Sequence, residues 1–75
     1  MPIRTTIFSS RNSSETFSEL NRLEGLYLAT VRRKLGLDLF FSDGTHGVYS
    51  VVAYSEGDKT EEIQWLKSNA KETRA

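Results

Sequence analysis

The chain has 75 residues, ten acidic and ten basic side chains, one proline, one histidine and no cysteine. A chain this short buries only about 60% of the surface that its unfolded form exposes, which bounds it to one domain, residues 1–75, with a thin stability margin. Balanced charge argues against a generic polyanion binder, and the absence of cysteine beside the lone His46 excludes a disulfide framework and a self-contained zinc site.

Apolar residues are 37% and charged residues 27%, which suits a globular chain and is too aromatic for a disordered one. The start, Met1-Pro2-Ile3-Arg4-Thr5-Thr6, lacks the apolar run of a signal peptide, and no stretch approaches the roughly 18 apolar residues of a membrane span. The expected setting is cytoplasmic, with no membrane contact, no cofactor and no metal.

Residues 3–8 alternate and are rich in β-branched side chains, which predicts a strand. Ile3, Thr5 and Ile7 would share one face, and Arg4, Thr6 and Phe8 the other. Ser9 to Ser14 reads as a polar loop. Asn12 and Glu15 have the spacing of a helix cap and its reciprocal acid, with Ser13 and Ser14 as alternative caps.

A helix is expected over 14–35, with Phe17, Leu20, Tyr27, Leu28, Val31 and Leu35 as its apolar stripe. Arg32, Arg33 and Lys34 would then complete the carbonyl end of its dipole, and Gly36 would take a left-handed capping conformation under Leu37. Glu24 falls inside that stripe, where an unpaired carboxylate is costly. A bend at Gly25, an overhang beyond a short sheet, or a partner such as Arg4 or His46 would each resolve it. Leu26 and Ala29 lie opposite the stripe with Leu23 at its border, and Leu23 and Leu26 could form an outward patch.

Residues 37–54 read as a hairpin around the loop Asp43-Gly44-Thr45-His46-Gly47. That loop sets Leu37, Leu39 and Phe41 opposite Ala53, Val51 and Tyr49 on a wholly apolar face. The loop glycines could expose amides to an anion, but positive φ in a turn explains them more simply. Asp58 and Glu61 have capping spacing for a last helix over about 59–71, with Ile63, Leu66 and Ala70 inward and Trp65 on the flank. Lys71 to Ala75 are expected to fray.

The order β-α-β-β-α predicts an α+β fold, a three-stranded antiparallel sheet carrying two helices, with the third strand beside the first. It resembles a ferredoxin-like topology lacking its fourth strand. That resemblance concerns topology alone and brings no functional motif.

Motifs for catalysis are nearly absent. No Ser or Asp is placed to form a triad with His46, no phosphate-cradling glycine motif occurs, and Glu61-Glu62 sit where a helix N-terminus attracts acids. A non-enzymatic role is therefore expected. The informative feature is the sheet face away from the helices, which would carry Phe40, Val48, Ser50, Val52 and Tyr54 with Phe8 and Arg4. Aromatics and valines on a bare face imply a cover.

The leading expectation is a protein-binding module, an adaptor, regulator or inhibitor, that uses this face or an open strand edge. Its partner would be another protein or a second copy, its anchors Phe8, Phe40, Val48, Val52, Tyr54 and Trp65. By size alone it is similar to small phage or mobile-element proteins that block host machinery. Arg4, Arg32 and Arg33 could meet an anion or an acidic partner. The alternative is single-stranded nucleic-acid binding, with Phe40 and Tyr54 stacking bases and Arg4, Arg11, Arg32 and Arg33 meeting phosphates.

Overall fold

The computed structural model describes residues 2–73. Its elements are β1 (Ile3–Ser10), α1 (Ser13–Val31), β2 (Asp38–Asp43), a 3-10 turn (Thr45–Gly47), β3 (Tyr49–Ser55) and α2 (Thr60–Asn69). The three strands form one antiparallel sheet in the order β1-β3-β2. This is the predicted α+β class, with the strand order of a ferredoxin-like sheet that lacks its fourth member.

Both helices lie on one side of the sheet. Leu20 and Leu23 of α1 and Leu66 of α2 join Ile7, Phe8, Leu37, Val51 and Ala53 in one buried cluster. The helices also grip each other. Tyr27 and Trp65 meet edge to face at 4.9 Å, and Arg22 Nη2 donates to the Asn69 carbonyl at 2.7 Å. The backbone amide of Lys71 donates to Glu19 Oε2 at 2.7 Å, so the chain just beyond α2 is tied down rather than frayed. Positions 74–75 of the tail expected to fray lie outside the described residues.

β1 departs from simple alternation. Thr6 pairs with Val52 and Phe8 with Val51, so Ile7 is an extra residue between two ladder positions. An inserted residue inverts the parity of everything after it. Phe8 therefore turns to the helix side and is fully buried, not on the outer face where uninterrupted alternation put it.

α1 starts as expected. Asn12 Oδ1 accepts from the Glu15 amide at 3.0 Å. The reciprocal contact runs through Ser10, whose hydroxyl donates to Glu15 Oε1 and accepts from the Asn12 amide. The far end differs from expectation. The helix stops at Val31, and Arg32 itself adopts the left-handed conformation (φ 65°, ψ 37°), its amide bonding the Leu28 carbonyl. Arg32, Arg33 and Lys34 thus lie past the last turn and do not complete it.

The inward stripe of α1 is Thr16, Glu19, Leu20, Leu23 and Tyr27. Leu23 is fully buried, while Phe17 and Leu28 are each 55% exposed and Glu24 is exposed. The apolar count placed the stripe about one residue off because two buried members are polar. Their polarity is satisfied in place. Thr16 Oγ1 donates to the Asn12 carbonyl at 3.1 Å, and Glu19 is held by Arg22 and the Lys71 amide. Glu24 needs no bend, since α1 runs unbroken through Gly25.

The hairpin has the predicted face assignment with its register displaced by two. Leu39 opposes Ala53 and Phe41 opposes Val51. The connection has five residues, 44–48, one step later than expected, closed by a Gly44 amide to Val48 carbonyl bond of 2.9 Å. A Cβ at Gly44 would sit 2.7 Å from that carbonyl oxygen. The turn reading holds for Gly47 (φ 73°), but the loop's second positive φ belongs to His46 (φ 62°) and not to Gly44.

α2 begins at Thr60. Asp58 Oδ1 accepts from both the amide and the hydroxyl of Thr60, and those bonds hold its carboxyl below the usual range. Leu66 is fully buried, and Ile63, Trp65 and Ala70 pack against the core.

Candidate interaction surface

The side of the sheet away from the helices is built of three cross-strand rows. Register places Arg4, Tyr54 and Asp38 side by side, then Thr6, Val52 and Phe40, then Ser9, Ser50 and Ser42. Alternation sends each of these side chains outward from the helical layer. The serine row is polar and internally bonded, with Ser9 and Ser50 hydroxyls 2.8 Å apart. The centre is aromatic. Phe40 is 49% exposed and Tyr54 37%, and their rings meet edge to face at 5.4 Å.

A second exposed aromatic group lies around the corner, on the helix side of β2. Phe17 meets Phe41 edge to face at 6.1 Å, and Phe41 stacks on Tyr49 at 5.7 Å. Phe17, Ser13, Ser14, Ser18 and Phe41 line a shallow depression of about 440 Å³. Further along, Glu24, Gly25, Leu28, Leu35 and Asp38 line a groove of about 430 Å³ that Lys34 also borders. α1 runs antiparallel to β2, so its stripe Phe17, Glu24 and Leu28 overlooks that strand throughout its length. No residue of β2 is buried.

The start of β2 is fixed by a buried carboxylate. Glu62 of α2 accepts the backbone amide of Gly36 and has Arg33 at 3.8 Å and Lys59 at 3.9 Å. A Cβ on Gly36 would stand 3.1 Å from both Glu62 oxygens. The glycine therefore serves close approach to α2, not the left-handed cap expected of it.

Six residues were expected to gather as a contact surface, and the structure divides them. Phe40 and Tyr54 form the outer aromatic centre. Val52 shares that face but is 1% exposed, flanked on the sheet by Thr6 and Phe40. Val48 is half-buried in the hairpin loop. Phe8 is in the core, and Trp65 packs against Tyr27 in the helical layer. Arg4 stands beside Tyr54, whereas Arg32 and Arg33 lie on the connection between α1 and β2, with Arg33 stacked 5.6 Å from the Tyr27 ring centre. The three arginines therefore do not form one cluster.

Sequence reasoning missed Phe17, Leu28 and Phe41 as surface groups, because each was counted as core. The Glu19/Arg22 spacing was the available signal. An acid and an arginine three apart on a helix can pair and enter a core together, which rotates the stripe and turns Phe17 and Leu28 outward.

Among the described residues, no helix is long and apolar enough to cross a membrane. Compared with protein-family models, with curated proteins and with solved structures, the chain matches none.

Proposed function

We infer that the protein is a non-enzymatic protein-binding module, a regulator or inhibitor that acts in the cytosol by occupying a partner's surface through the β2 region. One observation carries this reading. Among the described residues, six large apolar side chains are at least about a third exposed, and five of them (Phe17, Leu28, Phe40, Phe41 and Tyr54) lie on β2 or next to it. Monomeric proteins seldom concentrate exposed apolar groups in this way unless something covers them. Large aromatics are also the residues that dominate interface energetics.

Single-stranded nucleic acid fits this surface less well. Arg4 does stand beside Tyr54, but Asp38 flanks the same ring on its other side, and Arg32 and Arg33 are on the helix side. Among the described residues, no continuous basic track adjoins the rings.

Affinity capture with the folded chain, followed by reconstitution from two purified components, tests the reading. Phe40→Ala and Tyr54→Ala are each expected to weaken the reconstituted complex by about tenfold or more. Added salt should change that complex little, whereas a nucleic-acid complex would weaken steeply as counterions are released. Full retention of the protein partner by both folded variants overturns the proposal.

A further inference from the structure

The sheet has two free edges, and they are built differently. β1 carries the bulge at Ile7, its last four residues are buried, and α2 packs against it. Bulges and covering elements are the usual means of blunting an edge. β2 has neither. Its ladder to β3 is regular, none of its residues is buried, and it contains no proline or lysine. It exposes Phe40 on one face and Phe41 on the other, with Phe17 and Leu28 beside them. Among the described residues, only Ile3 of the exposed large apolar side chains lies on β1.

We propose that the partner of the β2 edge is a second copy of this chain, paired antiparallel β2 to β2 across a two-fold axis into a continuous six-stranded sheet. The proposal rests on the protein-binding reading above and names its partner. The argument is self-complementarity. A two-fold axis perpendicular to the sheet keeps each face continuous, so only residues on the same face can oppose one another.

With the axis at Phe40, that residue opposes the partner's Phe40 on the outer face. Leu39 opposes the partner's Phe41, and the reverse pair forms with it. Asp38 opposes the partner's Ser42, so no two acids stand opposite each other, as like charges would destabilise the pairing. Asp43 of each copy reaches the partner's Leu37, at the end of the groove that Lys34 borders. Moving the axis one residue to Phe41 would set Leu39 against the partner's Asp43 and Phe40 against the partner's Ser42. Pairing apolar with apolar selects the first register. α1 and its copy would then flank the seam, with Phe17, Leu28 and Phe41 facing it from each side.

A six-residue edge is about 20 Å long, so the dimer is expected to be weak and to exchange rapidly. The absence of cysteine makes cross-linking a clean test. Sedimentation of the full chain should show dimer formation as concentration rises toward about 1 mM. Mild oxidation of a mixture of Asp38→Cys and Ser42→Cys should give a disulfide-linked pair, while Tyr54→Cys alone should not cross-link. Phe41→Lys should abolish the dimer while its circular dichroism stays native.

A chain that remains monomeric at about 1 mM overturns self-pairing and leaves the reading of a separate protein partner to its own test. A dimer that cross-links through Tyr54 but not through positions 38 and 42 is face to face, which overturns the edge pairing while supporting a contact surface.

Discussion

Glu19 accepts from Arg22 at 2.8 and 2.6 Å and from the Lys71 amide at 2.7 Å, yet is only 1% exposed. The Arg22 bonds outweigh burial and hold its carboxyl below the ordinary range, with the Lys71 amide adding to them. A carboxyl that titrates lower in the folded chain than in the unfolded one stabilises the fold fully above the ordinary glutamate pKa. The contribution disappears as acid takes the pH down through the folded value. Glu19→Gln is expected to flatten that acid dependence, and Glu19→Ala to cost about 2–3 kcal/mol at neutral pH. Urea unfolding between about pH 3 and pH 7 checks both. Phe8 and Phe40 make a second comparison. Phe8→Ala should cost about 3–5 kcal/mol, and Phe40→Ala, half exposed, under about 1 kcal/mol. Equal costs in denaturant melts would contradict the parity inversion at Ile7. Neither result was legible in the sequence. Period-two counting cannot see an inserted residue, and an apolar stripe count cannot see a carboxylate that brings its own arginine.

At the scale of elements, local chemistry and tertiary contacts disagree in instructive places. Existence, type and order of the three strands and two α-helices followed from alternation and helical spacing, and Asn12 caps α1 as its spacing predicts, whereas the expected Asp58/Glu61 pair does not cap α2, whose N-cap is Lys59. The end of α1 did not follow. Gly36 looks like a helix terminator, but its amide is taken by Glu62, 26 residues away, and the helix closes at Arg32 instead. Because a non-glycine residue occupies the left-handed cap, Arg32→Gly is expected to raise stability by up to about 1 kcal/mol. Gly25 offers a parallel case. Nothing lies within 4 Å of the position its Cβ would take, so Gly25→Ala should stabilise the isolated chain by about 0.5–1 kcal/mol. Thermal melts of the two variants test these assignments. Destabilisation by Gly25→Ala would mean that the helix needs its backbone freedom there.

For the whole molecule, the decisive fact is that both helices choose the same side of the sheet. The sequence left that choice open, because Leu66 and Ile63 could have packed on either apolar face. With the helices together, the outer face keeps its exposed Phe40–Tyr54 pair, and the β2 flank keeps Phe17 and Phe41. The outer aromatic pair was therefore legible in the hairpin's alternation. The β2 flank was not, since it depends on how α1 is rolled about its own axis. If this surface is a contact site, changes there should separate binding from folding. Phe17→Ser, Phe40→Ser and Phe41→Ser are each expected to shift the melting temperature little while altering association measured by sedimentation.

The unequal edges have a consequence for how far such a chain can grow. A sheet with two receptive margins can add copies without end, as fibres do. Here the bulge at Ile7 spoils one margin as a template, so a copy joined along β2 presents only spoiled margins outward. Assembly would stop at two. Removing Ile7 to straighten β1 would hand the molecule a second sticky side, and with it a route to polymer.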